Sequence, residues 1–271
     1  MNDGPSLSSL HIALVGCGKM GGAMLRGWID SGVGRIDVLE PNPLPEDFGS
    51  CVTHHIEASS FIGAWDMVVI AVKPQMMKDV CGKLSTNLSA ATPVLSIAAG
   101  QKIAAFQTYF DAAQPIIRAM PNTPAAIGKG MIVACPSPQI TAQHRTIADA
   151  LLHNLGTTLW TNTEGDMDAV TALSGSGPAY VFYLIEALSE AGMKAGLSAD
   201  MAATLARQTV IGSAALAEHD AELSAARLRE NVTSPGGTTE AALRVLMDGR
   251  WQEILTSAIV AATKRSKELS K

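Results

Sequence analysis

Short apolar runs alternate with helical periodicity through the first half of the chain. The run His11–Val15 breaks at Gly16, as a buried parallel strand does, and residues 20–32 then carry apolar side chains at helical spacing. Further apolar runs predict strands at residues 35–39, 67–72, 94–98, 116–120 and 131–134. This alternation predicts a Rossmann-like, doubly wound α/β sheet with helices on both faces.

The pattern changes after Trp160. Strand patterns disappear, and alanine- and leucine-rich segments predict helices over residues 166–195, 198–219 and 240–270. The polar stretch 162–165 is the predicted boundary between a domain of residues 1–163 and an all-α C-terminal domain of residues 164–271.

A glycine-rich segment joins the first strand to the first helix. It reads Gly16-Cys17-Gly18-Lys19-Met20-Gly21 and fits the GxGxxG pattern of dinucleotide-binding folds. Gly16 would form the turn, Gly18 would let the backbone approach a pyrophosphate, and Gly21 would let helix and strand pack closely. A chance glycine-rich turn is the alternative. The strand–turn–helix context favours a cofactor site at Gly16, Gly18, Lys19, Met20 and Gly21.

Glu40 ends the second predicted strand, the position from which an acidic side chain binds the adenosine ribose. Taken alone, a carboxylate there favours NADH because it repels a 2′-phosphate, and no arginine follows in residues 41–47. A solvated glutamate at a strand end is an equally good interpretation. The choice between NADPH and NADH therefore stays open.

Three later strand ends fall where ligands bind in open α/β sheets, outside the carboxyl ends of the strands. The candidate cofactor residues at these ends are Ala71, Val72, Lys73, Pro74, Ala98, Ala99 and Asn122. The two alanines at 98 and 99 leave room for a flat ring, and Asn122 supplies a polar group in a loop that two prolines make rigid. Taken alone, Lys73 is more often a surface charge, and its location at a strand end makes the two interpretations about equal. Taken alone, the proline-rich loop is better explained as a structural turn.

The segment Val232-Thr233-Ser234-Pro235-Gly236-Gly237-Thr238-Thr239 lies between two helical stretches. Pro235 ends one helix, and the glycine pair allows a tight turn. Thr238 or Thr239 is expected to cap the next helix, residues 240–247, whose end is marked by Gly249. Backbone N–H groups at such a helix start, together with the hydroxyl groups, suit a small carboxylate. For this segment in isolation, an ordinary helix–helix turn is the better explanation.

Composition narrows the class of protein. The net charge of −5 gives no electrostatic basis for binding nucleic acid, and the six histidines include no HxxH spacing, with His54 and His55 expected in a loop. The four cysteines have no CxxC spacing, which predicts no metal site and a reducing compartment. The most apolar helical stretch is interrupted by three charged residues, and the N-terminus lacks the basic region of a signal peptide. We therefore expect a cytoplasmic protein that binds neither membrane nor nucleic acid.

Motifs along nearly the whole chain resemble the pyrroline-5-carboxylate reductase family. These motifs are Val15-Gly16-Cys17-Gly18-Lys19-Met20-Gly21, Ala71-Val72-Lys73-Pro74, Arg118-Ala119-Met120-Pro121-Asn122-Thr123-Pro124, Leu173-Ser174-Gly175-Ser176-Gly177-Pro178-Ala179-Tyr180 and Thr233-Ser234-Pro235-Gly236-Gly237-Thr238-Thr239. The last two motifs are the most specific, because the first two occur more widely.

The resemblance implies reduction of 1-pyrroline-5-carboxylate to L-proline, the last step of proline biosynthesis, with NADPH or NADH. It implies a C-terminal domain that forms homodimers, which assemble into larger rings such as decamers. It also implies that the substrate binds to Ser234, Gly236, Gly237, Thr238 and Thr239. The hydroxyl of Thr239 would lie near the ring nitrogen and act in catalysis, chiefly by positioning because it is a weak acid.

Two other functions share parts of this pattern. A β-hydroxyacid dehydrogenase-like enzyme needs a lysine and an asparagine at the first helix of its second domain. Those positions hold Val181 and Leu184, which cannot transfer a proton. A non-catalytic NAD(P)-binding protein would keep the glycine-rich turn but has no need of a hydroxyl-lined anion site.

Overall fold

The computed structural model describes residues 6–270, whose N-terminal part contains an eight-stranded sheet. The strands are β1 His11–Val15, β2 Arg35–Leu39, β3 Val52–His55, β4 Met67–Ile70, β5 Val94–Ser96, β6 Ile116–Met120, β7 Gly130–Pro136 and β8 Gly156–Trp160. Their order is β3-β2-β1-β4-β5-β6-β7-β8, and the strands pair in parallel except for the antiparallel pair β6–β7. The order reverses between β1 and β4, so the carboxyl ends of these two strands form the switch point where such sheets bind ligands.

The predicted sheet is confirmed, and the differences lie mainly at its edges. Strands β1, β2 and β6 have the predicted bounds, whereas β4 and β5 end two residues earlier than expected. The edge strands β3 and β8 were not predicted, and His54 and His55 end β3 instead of lying in a loop.

Helices of the N-terminal part of the chain cover both faces of this sheet, and further helices follow in the C-terminal part. The helices are α1 Lys19–Asp30, α2 Met77–Leu84, α3 Ile103–Tyr109, α4 Ala142–His153, α5 Met167–Val170, α6 Gly177–Lys194, α7 Ala199–His219, α8 Ala225–Asn231, α9 Thr238–Leu246 and α10 Arg250–Leu269. Successive residues of β1 enter two different apolar clusters: Ile12 packs in the cluster that holds Trp28, and Ala13 packs in the cluster that holds Phe61. Burial on both faces explains why the central strands read as continuous apolar runs.

The chain divides into two compact units. The first comprises the residues up to Ser176 together with those from Ala262 onward, and the second comprises Gly177–Ala261. This division describes how compactly the chain packs. The predicted boundary after residue 163 separates a cofactor domain from a C-terminal domain by function, and it stays a prediction.

Of the three helical segments predicted after Trp160, residues 198–219 are confirmed as the uninterrupted helix α7, whereas the other two are divided. A π-helical turn at Thr171–Gly175 separates α5 from α6, and the helical segment 240–270 is divided between α9 and α10 at the helix end that was predicted near Gly249. Gly249, which lies between α9 and α10, has a φ of +100°, a backbone conformation that an L side chain rarely adopts. The short helix α8 was not predicted.

The second unit has little apolar core of its own in a single chain. Within Gly177–Ala261, all described by the structure, only Ala202 and Ala206 are buried. Large apolar side chains stay exposed there, including Tyr183 at 70% and Ile254 at 66%. Within residues 6–270, no helix combines the length and the apolarity that crossing a membrane requires.

Candidate active site

The glycine-rich turn lies at the switch point of the sheet and needs glycine at two positions for steric reasons. Gly16 has a φ of +92°, and a Cβ atom there would lie 2.8 Å from Cγ1 of Val72, beyond the end of β4. A Cβ atom at Gly21 would collide with the carbonyl oxygen of Gly16. These two glycines therefore make the turn and bring α1 close to β1, as the sequence predicted.

Gly18 differs from both of these glycines. No described heavy atom lies within 4 Å of the place where its Cβ would be, so the side of the turn at Gly18 is open. Gly18 is the N-cap of α1, and in the described part of the chain the backbone N–H groups of Lys19, Met20 and Gly21 have no hydrogen-bond partner. Unpaired N–H groups at a helix start favour an anion, so this geometry fits a dinucleotide pyrophosphate.

Glu40 is held in a fixed orientation beside the glycine-rich turn. Its Oε2 accepts a hydrogen bond of 3.0 Å from the Cys17 N–H, and its Oε1 accepts from the backbone and side-chain nitrogens of Asn42. Burial acts to raise the pKa of Glu40, but these hydrogen bonds outweigh it and bring the pKa below its ordinary value. The side chain is therefore an ionised acceptor, suited to the ribose hydroxyl groups.

A cleft of about 1090 Å³ extends from this turn. Of the predicted cofactor residues, it is lined by Gly16, Gly18, Glu40, Ala71, Val72 and Lys73. Sequence reasoning missed most of the remaining wall, in particular Ile56–Ser59 after β3 and the α2 residues Val80, Gly82 and Lys83. Residues 56–59 were missed because the edge strand β3, which they follow, was not predicted. The β-branched Val52, Thr53 and Ile56 were the available signal for that strand.

The other predicted cofactor residues lie at the ends of β4, β5 and β6. Pro74 opens a short 3₁₀ helix, as a proline after a strand suggests, and Lys73 before it is exposed. Ala98 is buried and Ala99 is exposed after β5, where the Ser96 Oγ accepts a hydrogen bond from the Ala98 N–H.

The side-chain amide of Asn122 forms its hydrogen bonds with other residues of the protein. Its Oδ1 accepts a hydrogen bond of 2.9 Å from the Met131 N–H, and its Nδ2 donates to the carbonyl oxygen and Oγ of Ser174, each at 3.3 Å. Asn122 thus ties the loop after β6 to β7 and to the π-helical turn. A contact with the cofactor stays a prediction.

In the second unit, the predicted anion-binding turn connects α8 to α9. Gly236 has a φ of +72°, and the Gly237 N–H donates to the Ser234 carbonyl at 3.0 Å, which closes the turn. The backbone N–H groups of Thr238, Thr239 and Glu240 have no hydrogen-bond partner in the described part of the chain. A row of free donors at a helix N-terminus can bind a carboxylate.

The capping residue was predicted incorrectly. Gly237 is the N-cap of α9, and Thr238 and Thr239 are its first two helical residues, so neither threonine caps the helix. Gly237 has the extended backbone that is typical of an N-cap, so the helix begins at the next residue, Thr238. Instead, the Glu240 carboxylate accepts a hydrogen bond from the Gly236 N–H. Thr239 is half-buried, whereas Ser234 and Thr238 are exposed.

A mostly parallel sheet with a glycine-rich turn at its switch point defines a dinucleotide-binding protein of the Rossmann class. A family model described as pyrroline-5-carboxylate reductase dimerisation matches residues 164–269, and one described as coenzyme F420-dependent NADP oxidoreductase matches residues 11–100. The pyrroline-5-carboxylate reductase of Pseudomonas aeruginosa is 37% identical over 269 residues, which span 97% of this chain and 98% of that protein. The chain belongs to the pyrroline-5-carboxylate reductase family.

Solved structures agree with this assignment. A pyrroline-5-carboxylate reductase from Coxiella burnetii has a TM-score of 0.91 and 35% identity, covering 97% of this chain and 99% of that one. The pyrroline carboxylate reductase of Plasmodium falciparum, solved with NADP bound, has a TM-score of 0.80 and 26% identity, covering 98% and 100%. The match to the dimerisation domain indicates that the chain forms a homo-oligomer, which accounts for the exposed apolar side chains of the second unit.

Proposed function

We propose that this chain reduces 1-pyrroline-5-carboxylate to L-proline with hydride from NADPH or NADH, as the last step of proline biosynthesis. The observation that carries the proposal is membership of the reductase family over nearly the full length of the chain. The open turn at Gly18 and the free N–H groups at the start of α9 supply the two anion sites that this reaction needs, one for each ligand.

The dinucleotide supplies the hydride, and the protein positions it. The free N–H groups of Lys19, Met20 and Gly21 would hold the diphosphate, and the Glu40 carboxylate would accept hydrogen bonds from the ribose. Ala71, Val72, Lys73, Pro74, Ala98, Ala99 and Asn122 complete the proposed cofactor set. Holding two reactants at contact distance can account for about 7–11 kcal/mol of a barrier, so orientation is the main task of these groups.

The substrate carboxylate is assigned to the turn of the second unit. The N–H groups of Thr238, Thr239 and Glu240 would bind it, together with the Gly236-Gly237 turn and the Ser234 hydroxyl. The substrate is a cyclic imine whose protonated form accepts hydride directly, so a strong general acid is not required. The Thr239 hydroxyl would hydrogen-bond the ring nitrogen and relay a proton from water.

The residues of α6 favour an imine reductase over a β-hydroxyacid dehydrogenase. Alcohol oxidation needs a group that removes a proton, and at the position where a lysine would serve, α6 holds Val181. A purely non-catalytic nucleotide-binding protein would not need the donors at the start of α9.

We further propose that NADH is the preferred cofactor, that homodimers assemble into a larger ring such as a decamer, and that the protein is cytoplasmic. The ionised Glu40 supports the first proposal, and the resemblance to the family supports the second. The four free cysteines support a reducing compartment. The start of the dimerisation match at residue 164 supports a functional division into residues 1–163 and 164–271.

A spectrophotometric assay tests the activity. We expect loss of the reduced-nicotinamide absorbance when the chain, NADH or NADPH, and 1-pyrroline-5-carboxylate are mixed, with proline as the product. Oxidised cofactor with 3-hydroxy acids should give no reduction, and reduced cofactor without the imine should stay unchanged. A chain that binds NADH but leaves it unoxidised with the imine would be a binding protein and not a reductase.

A further inference from the structure

The loop between β5 and α3 has two neighbours, Glu164 at its α3 end and the last turn of α10 beside Gly100. This loop, residues 97–102, contains Ala98 and Ala99 of the proposed cofactor site. At the end next to α3, the Glu164 Oε1 accepts a hydrogen bond of 2.8 Å from the Ile103 N–H. The same oxygen accepts from the buried Arg118 NH1 at 3.0 Å, which fixes Glu164 against β6.

The other contact with this loop comes from the last turn of α10. Gly100 has a φ of +74°, and a Cβ atom there would lie 3.5 Å from the Leu269 carbonyl oxygen and 3.8 Å from the Ser270 Oγ. The last turn of α10 therefore lies next to the loop, where a side chain at residue 100 would touch it. Residues from Ala262 onward belong to the same compact unit as the sheet, so this contact lies within one unit.

The Asp168 carboxylate is hydrogen-bonded to this last turn. Its Oδ1 accepts a hydrogen bond of 2.6 Å from the Ser266 Oγ and lies 3.4 Å from the Ser270 Oγ. Asp168 is 9% exposed and the two serines 7% each, and no basic side chain forms an ion pair with Asp168 in the described part of the chain. A buried carboxylate costs free energy unless hydrogen bonds compensate, so this carboxylate depends on the serine hydroxyls.

We propose that Ser266, Ser270 and Asp168 are positioning residues for the loop after β5, and that the C-terminal turn thereby sets the affinity for the nicotinamide half of the cofactor. Glu164 and Asp168 lie one helical turn apart, so a single short segment fixes the start of α3 and the end of α10 together. The loop between these two anchors lies at the carboxyl end of β5, next to the switch point, where it can support the nicotinamide ring. The inference rests on the proposed function in one respect, the placing of Ala98 and Ala99 beside the cofactor.

The test compares two ligands that share an adenosine half. We would measure the binding of NADH by its fluorescence and of ADP-ribose, which lacks nicotinamide, by calorimetry, in the full chain and in Ser266→Ala. Without this hydrogen bond the loop is no longer held in place before the cofactor arrives, so NADH binding must supply that ordering. We therefore expect NADH to bind about 3- to 10-fold more weakly, while ADP-ribose binding stays unchanged. Ser266→Thr, which keeps the hydroxyl, should restore NADH binding.

The matched control is Ser224→Ala. The Ser224 Oγ accepts a hydrogen bond from the Arg227 N–H at the start of α8, so this variant also loses one serine hydrogen bond, in the second unit. It should leave both ligands bound as before. If Ser266→Ala does not fold, Ser270→Ala, whose contact with Asp168 is longer, gives the same comparison.

Two results would overturn the inference: unchanged NADH binding in a folded Ser266→Ala protein, or equal weakening of NADH and ADP-ribose. Both measurements are made without the imine substrate. A failure of the proposed reductase activity is therefore seen separately, as NADH that binds to the parent chain but is not oxidised in the assay.

Discussion

Thr239 is half-buried at the second position of α9, beside N–H groups that have no partner in the described part of the chain. We predict that Thr239→Ala lowers kcat about 10- to 100-fold, because a hydrogen bond to a group that changes charge in the reaction contributes about 1.5–3 kcal/mol. NADH affinity should stay the same, since the substitution leaves the first unit untouched. Steady-state kinetics and a fluorescence titration measure the two effects.

Thr239→Ser is the control, because it keeps the hydroxyl group and should retain most of the activity. Full activity in Thr239→Ala would remove this residue from the mechanism.

Glu40 is the residue that we expect to determine how the cofactor site responds to an additional phosphate. Its carboxylate is fixed by Cys17 and Asn42, so it cannot turn away from a 2′-phosphate without losing these hydrogen bonds. We predict a kcat/KM for NADH at least about 10-fold higher than for NADPH, and a shift of about 10-fold toward NADPH in Glu40→Gln. Glu46→Gln removes the same charge outside the cleft and should leave the ratio unchanged. A strong NADPH preference in the parent chain would contradict this role of Glu40.

At the scale of elements, glycine is expected for different reasons at Gly18, the N-cap of α1, and at Gly21 in its first turn. Gly21→Ala places a Cβ atom against the Gly16 carbonyl and should destabilise the fold by about 1–3 kcal/mol, which urea denaturation would measure. Gly18→Ala meets open space, so we expect nearly unchanged stability but at least about 10-fold weaker NADH binding, because the methyl group blocks the pyrophosphate. Unchanged NADH affinity in a folded Gly18→Ala protein would argue against a pyrophosphate at this turn.

Central and edge strands differ in how well the sequence predicts them. Strands such as β1 are buried on both faces, so apolar residues run continuously and identify the strand. The edge strands β3 and β8 are partly exposed and carry Thr53, His54 and Thr157, which remove that signal. For the same reason, the wall of the cleft after β3 was missed, whereas the glycine-rich turn and Glu40 were identified from their positions beside central strands.

Asp37 links β1, β2 and the segment before β4 at the amino ends of the strands. Its Oδ2 accepts a hydrogen bond from the Trp65 Nε1 and lies 2.8 Å from the His11 Nε2, and its side chain is 1% exposed. Burial acts to raise the pKa of Asp37, but the hydrogen bonds from Trp65 and His11 outweigh it and lower the pKa.

The lowered pKa predicts how stability depends on pH. The contribution of Asp37 is fully present above the unfolded pKa of about 3.9 and is lost as the pH falls through the lower folded value. We predict that Asp37→Asn destabilises the protein by about 1–3 kcal/mol at pH 7 and at pH 5, and by less below pH ~3. Urea unfolding at these pH values measures the difference. Asp30→Asn, at an exposed residue, should have little effect; a constant difference for Asp37→Asn across the range would contradict the ionised state.

For the whole molecule, the important feature is the exposed apolar surface of the second unit. A unit that buries only Ala202 and Ala206 within one chain gains too little from burial to offset the conformational entropy lost on folding. We therefore expect the fold of this unit to depend on another copy of the chain, in keeping with the match to a dimerisation domain. Sequence periodicity predicts the helices but not their partner, because a core shared between two chains has the same apolar pattern as one within a chain.

Coupling between assembly and folding predicts that stability depends on protein concentration. Each tenfold dilution should lower the melting temperature by about 1–2 °C, since mass action favours the dissociated chain. Ile254→Glu should reduce the assembled fraction in size-exclusion chromatography with light scattering, because a charge would be buried without a partner. Ile127→Glu is the matched control: Ile127 is 77% exposed in the first unit, so the same substitution there should leave both the mass and the melting temperature unchanged. A melting temperature independent of concentration, with a single-chain mass, would show that the second unit folds without a partner.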